Sequence, residues 1–115
     1  MDHLSKLREL WYSAYIAGDT SALRVYESPN LRVIVNGEIE TGDRYSDIQA
    51  KVDLGTWFQP KIERDDTCAK TDSGFIVDGI AKVIEGKAAG KELSYSEVWN
   101  YENGSLKISR LTINA

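Results

Sequence analysis

The chain has 115 residues, 42% hydrophobic and 28% charged, with 14 Lys and Arg against 18 Asp and Glu for a formal charge of -4. Residues 1-115 are therefore expected to form one domain of ordinary globular composition, and the scattered bases argue against nucleic acid and anionic membrane as partners, since both require concentrated positive charge. No apolar run approaches the ~20 residues that span a bilayer, MDHLSKLREL lacks an apolar signal core, and the single cysteine, Cys68, fits a reducing compartment, so a cytoplasmic protein is expected. With His3 and Cys68 as the only nitrogen and sulfur ligands, neither a metal site nor a cofactor is expected, and His-dependent nucleophile systems are set aside.

Leu4, Leu7, Trp11, Ala14 and Tyr15 recur at steps of three and four, which predicts an amphipathic helix over residues 3-17, with Asp2 as N-cap and Gly18 just past its end. Asp19 can cap a short second helix to about Tyr26, which Pro29 and Asn30 end. LRVIV (31-35) reads as a strand, Asn36-Gly37 as a two-residue hairpin turn, and GEIE as the returning strand. Asp43 can cap a third helix in which Tyr45, Ile48 and Val52 share a face, closing near Gly55.

The second half reads as sheet. WFQPKIERDDTCAKT (57-71) is extended, interrupted at Pro60. Asp72-Ser73-Gly74 is a turn, and GFIVDGIAKVIE (74-85) a long strand that can bend at Gly79. After a loop from Gly86 to Gly90, SYSEVWNYENGSLKISRLTI (94-113) gives two strands joined at Asn103-Gly104. Asp65 and Asp66 should point to opposite faces, both as solvated surface, and Asp78, next to Gly79, should be a bulge or surface residue rather than a base. Helices first and antiparallel strands after make an α+β plan.

This order, together with AGDTSAL (17-23), FIVDG (75-79) and the terminal SEVWNYENGSLKISRLTI, resembles the nuclear transport factor 2-like superfamily over essentially the whole chain, nearest its SnoaL-like and ketosteroid isomerase-like branches. The resemblance implies a cone of N-terminal helices packed on a curved antiparallel sheet, a cavity at the open end, and often a dimer through the sheet's outer face. It implies no single activity, because fold does not fix function.

A two-residue turn at Asn103-Gly104 pairs Glu102 with Ser105, Tyr101 with Leu106, Trp99 with Ile108, Glu97 with Arg110 and Tyr95 with Thr112. A three-residue turn would instead bring Ser109 opposite Glu97. The apolar residues of the last strand change parity between Ile108 and Leu111, so either a bulge intervenes or both faces are covered. As a rim pair, Glu97 and Arg110 would contribute only about 0.2-1 kcal/mol. Inside an apolar cavity, burial would raise the carboxyl's pKa and the arginine would lower it. In the ketosteroid isomerases, which the chain resembles, the position that matches Glu97 carries a protonated acid of an oxyanion hole. Trp11 stands where they have a tyrosine, and Ile34, Val35 and Asn36 stand where they have a catalytic aspartate, so no steroid isomerase activity is expected.

The leading reading is a domain that binds a small apolar ligand, with acid-base catalysis of isomerase, cyclase or dehydratase type as its extension. Glu97 and Arg110 are the candidate catalytic residues, and Trp11, Tyr15, Trp57, Tyr95, Trp99 and Thr112 the candidate ligand contacts. The alternative is a non-enzymatic homo-oligomerisation or interaction module with a vestigial pocket. A homodimer is expected on either reading, because Val98, Leu111 and Ile113 would share the outer sheet face.

Overall fold

The computed structural model describes residues 3-115 and divides into two compact units: one runs through Glu27 and takes in Thr41–Gln59, the other comprises Ser28–Glu40 and Pro60–Ala115. Helices followed by a six-stranded, curved and unclosed sheet make the fold α+β.

The first unit is helical. Helix α1 (His3–Ala17) buries Leu4, Arg8, Trp11 and Ala14 along one stripe, while His3 at its start is exposed. Asp2, the expected cap, lies outside the described residues. The helix closes with Gly18 at φ 68°, where the Gly18 N–H donates to the Tyr15 carbonyl at 3.0 Å and the Asp19 N–H to the Ala14 carbonyl at 2.9 Å, a pattern that satisfies carbonyls otherwise orphaned at a helix end. Asp19 then caps α2 (Thr20–Tyr26) by accepting from the Ala22 N–H. Asp43 caps α3 (Arg44–Asp53) by accepting from the Tyr45 and Ser46 N–H groups; the Ser46 hydroxyl adds a third hydrogen bond at 2.8 Å. Ser46's hydroxyl and N–H hold the Asp43 carboxyl below its ordinary pKa. Ile48 is the buried residue of α3, with Tyr45 and Val52 half-buried.

The second unit is the sheet, in the order β2-β1-β6-β5-β4-β3. β1 (Glu27–Val35) begins directly after α2, earlier than LRVIV suggests, and carries an exposed Pro29 as its third residue. It returns through Asn36-Gly37 to β2 (Glu38–Ile39); both turn residues have positive φ, as they do at Asn103-Gly104, which suits the twist of two-residue hairpins. β3 (Ile62–Lys70) starts two residues after Pro60, and β4 (Gly74–Val83), β5 (Glu92–Glu102) and β6 (Ser105–Asn114) follow as antiparallel neighbours.

The last hairpin keeps the expected register only near its turn. Glu102 pairs with Ser105, Tyr101 with Leu106 and Trp99 with Ile108, but a bulge then shifts the ladder, so that Val98 pairs with Arg110, Glu97 with Leu111 and Tyr95 with Ile113. Two residues of β6, Ser109 and Arg110, thus occupy the space of one. The expected oppositions of Glu97 with Arg110 and of Tyr95 with Thr112 do not form, and neither does the alternative of Ser109 opposite Glu97. Arg110 is exposed on the other face, and Thr112 lies beside Ser96 there. Leu111 and Ile113 turn to the face of the buried Tyr95, Glu97 and Trp99, leaving only Val98 of the expected outer apolar trio.

A side chain at Gly18 would meet two obstacles. Its φ is left-handed, and an added Cβ would lie 2.5 Å from Val52 Cγ2 and 2.8 Å from Trp57 Cδ1. Gly18→Ala is therefore expected to cost about 2-4 kcal/mol, backbone strain plus overpacking, read as a lower midpoint in urea unfolding with an unchanged slope.

Candidate functional site

On β5, Tyr95, Glu97 and Trp99 alternate onto one face and are all buried, Glu97 at 2% exposure and Trp99 at 0%. Glu97 is flanked across the ladders by Val77 and Leu111. The Trp99 indole N–H donates to Glu97 Oε1 at 2.8 Å, linking neighbours two residues apart on the pleat. A carboxyl on an apolar surface needs such a donor, because a polar group buried without one costs free energy.

The second polar group on this face spans three strands. Asp66 on β3 pairs with Gly79 on β4, which pairs with Tyr95 on β5. The Tyr95 hydroxyl donates to Asp66 Oδ2, and its ring passes over the glycine to reach it: a Cβ at Gly79 would lie 2.5 Å from Asp66 Cβ and 2.6 Å from the Tyr95 hydroxyl oxygen. Gly79 thus holds open the place of the phenol. Asp65 is exposed as expected, whereas Asp66 is half-buried, a correction to the expectation of solvated surface. A glycine on the strand between an acid and a tyrosine was the signal, and it becomes visible only once all three strands are in register.

In the helical unit a different acid organises the polar groups. Glu27, 2% exposed, accepts from the Trp11 indole N–H at 2.9 Å and the Tyr45 hydroxyl at 2.7 Å, and pairs with Arg44 at 3.3 Å. Arg44 also lies over the Tyr15 ring, 5.6 Å from its centroid, and Arg24 over the Tyr45 ring at 4.1 Å. The Arg44 Nε is buried and has no hydrogen-bond partner among the described residues. Burial first, and then the bond to Glu27, push the Tyr45 phenol above the tyrosine range. No sequence pattern marks Glu27, which sits between a helix end and Pro29 with no periodicity to single it out.

The other expected ligand contacts fall as follows. Tyr15 and Trp57 meet edge to face with centroids 5.2 Å apart, and the Trp57 indole N–H donates to the Tyr15 carbonyl at 2.9 Å. Trp57 is thus fastened to the end of α1. Trp11 has its N–H on Glu27, and β1 ends in Ile34 and Val35 before the Asn36 turn, so the end of that strand offers no carboxylate. Among the described residues, no group of three or more His, Cys, Asp or Glu is placed to hold a metal ion, and no helix is long and apolar enough to cross a membrane.

No protein-family model matches the chain, and no curated protein matches it. Solved structures do. A nuclear transport factor 2-like protein from Cytophaga hutchinsonii is similar over 100% of this chain and 99% of its own, with a TM-score of 0.77 at 18% identity. A protein provisionally designated a ketosteroid isomerase, from Shewanella frigidimarina, is similar over 94% and 91%, with a TM-score of 0.71 at 17% identity. The chain has the nuclear transport factor 2-like fold. A de novo designed protein with a curved β-sheet is also similar, with a TM-score of 0.63 at 14% identity over 98% of this chain and 100% of its own. These three likenesses in structure to this chain come with sequence identities of only 14 to 18%.

Two outcomes test the Glu27 cluster. Glu27→Ala removes the acceptor of the Trp11 and Tyr45 donors and the counter-ion of Arg44, and is expected to cost about 3 kcal/mol or more in equilibrium unfolding. The second concerns pH. The Tyr45 phenol is held neutral in the folded chain above its ordinary value of 10.0. Its stabilisation is therefore complete below pH ~10 and is lost as pH rises beyond that. Absorbance at ~295 nm should show one phenol fewer titrating late in Tyr45→Phe than in the parent, and the parent's alkaline loss of stability should be correspondingly smaller in the variant.

Proposed function

We propose that this chain is a small-ligand-binding domain whose ligand is held at the sheet face that carries Tyr95, Glu97 and Trp99. The observation that supports this most directly is the Tyr95–Asp66 hydrogen bond across the Gly79 notch. A hydroxyl and a carboxylate held together at the half-buried end of an apolar face are the kind of sparse polar group that orients a ligand in a mostly apolar site. The ligand class is a small apolar molecule bearing one hydroxyl or carbonyl, with Phe75, Val77 and Ile108 as further apolar neighbours on that face.

The same pair suits acid-base chemistry that needs no cofactor. When the Tyr95 hydroxyl turns its one proton from Asp66 Oδ2 to a ligand carbonyl oxygen, the freed Asp66 carboxylate can accept a proton from the carbon next to that carbonyl. Return of that proton at another carbon isomerises the ligand without changing its composition. Glu97 is the second acid of the face. The Shewanella frigidimarina protein lends support to an isomerase-type reading, while the composition of β1's end argues against the steroid reaction. The coarse reading, ligand binding, stands independently of the catalytic one.

The test is a titration of ligand-free protein with a panel of naphthol-, indole- and terpene-type compounds, followed by tryptophan emission. A saturable change is expected, and Trp99→Phe should remove much of it. Tyr95→Phe and Asp66→Asn should each weaken the tightest binder roughly tenfold, the loss of one charge-assisted hydrogen bond, while keeping the fold by circular dichroism. If no compound binds at millimolar concentration, the interaction-module reading replaces this one.

A further inference from the structure

We propose that the opposite face of the sheet carries a second, independent site, for a small organic anion with an apolar body. A groove of about 470 Å³ lies on this face, lined by Ile34, Ile76 and Val98 together with Arg32, Arg110 and five uncharged polar side chains. Its size falls within the range of roughly 300-1,000 Å³ usual for small-molecule sites.

The bulge builds it. Because Ser109 and Arg110 together oppose Val98, both side chains stand on this face. Asn100 fixes the bulged residue by donating from Nδ2 to the Ser109 hydroxyl at 3.0 Å, while its Oδ1 accepts from the Ser73 hydroxyl at 3.0 Å. The Ser109 hydroxyl in turn donates to the Val98 carbonyl at 3.3 Å. β1 and β6 are adjacent, and the Asn36 N–H donates to the Ile113 carbonyl at 2.8 Å. Arg32 and Arg110 precede those two residues on adjacent strands, and both line the groove.

Charge selects the occupant. The chain is acidic overall at -4, yet the groove lining holds two arginines and no Asp or Glu. Neither arginine has an ion pair or hydrogen bond among the described residues, and both are exposed. Two planar guanidinium groups in a groove that also holds three aliphatic side chains match a carboxylate on a hydrocarbon chain or ring, which the forks can grip with paired hydrogen bonds. A second copy docked groove to groove would bring four arginines together without an acid, a like-charge arrangement that costs free energy.

Octanoate is the probe, with 1-octanol and octylamine as neutral and cationic controls, followed by amide and indole shifts in two-dimensional NMR of the full chain. The expected result is saturable shifts at the amides of Arg32, Val98, Ser109 and Arg110, with the Trp11 and Trp99 indole signals unmoved. Binding should weaken roughly tenfold in Arg32→Gln or Arg110→Gln, vanish in the double variant, and be absent for octylamine. Thermal melts confirm that the variants fold. The proposal is overturned if octanol binds as tightly as octanoate, if no saturation occurs at millimolar octanoate, or if the shifts map to the Tyr95 face. It is equally overturned if sedimentation shows a dimer whose formation protects these amides. Because the readout lies on the face away from Tyr95, failure here leaves the proposed function standing, and the reverse holds as well.

Discussion

Side chains alternate along a strand, so a residue added to one strand of a pair exchanges the two faces for everything beyond it. Ser109 is that residue, and the make-up of both faces near the end of β6 depends on it. Beyond it Leu111 and Ile113 flank Glu97 and Tyr95, and Arg110 leaves for the other side. A regular ladder would have set a guanidinium beside Glu97 and turned two large apolar residues outward. Its anchor is modest, two hydrogen bonds through one hydroxyl. The stronger drive is the apolar burial of residues downstream, since burying a large aliphatic side chain contributes about 1.5-3 kcal/mol.

Missing side chains matter as much as those present. At Gly79 the absent Cβ is what lets a tyrosine from β5 lie across β4 and reach an acid on β3. At Gly18 it lets Val52 and Trp57 close on the end of α1. Trp57 then spends its N–H on a carbonyl of the last turn of that helix. In each case a backbone position without a side chain admits an aromatic ring whose polar atom finds its partner.

Much of the fold was legible because its signals are local. The Leu4–Trp11–Ala14 stripe, the Asp19 and Asp43 caps and the two Asn-Gly turns each depend on neighbours within a few residues, and each formed. The register near Asn103-Gly104 followed from the turn alone, as far as Trp99 and Ile108. The parity change toward Leu111 was visible too, but the choice between a bulge and two covered faces depended on which side of the assembled sheet buries Leu111 and Ile113, with Asn100 and Ser73 adding their anchor from outside β6. The candidate site was less legible. Tyr95 and Trp99 were found from alternation on one strand, whereas Asp66 required three strands and Glu27 required partners from two helices. Charge on a lone strand does not say which face will be apolar once the sheet assembles.

The Glu27 cluster also bears on how the chain assembles in time. Its hydrogen bonds join residues 16 and 18 positions apart, while the link from Ala115 to Asn36 joins residues 79 apart. Closing a loop costs entropy that grows with its length, and distant pairings slow folding most. The helical unit can therefore tie its polar knot while the last strand is still unplaced. Because Glu27 is also the first residue of β1, the strand that must find β6 sets out from an anchored end. That shortens the search for the most distant pairing in the sheet.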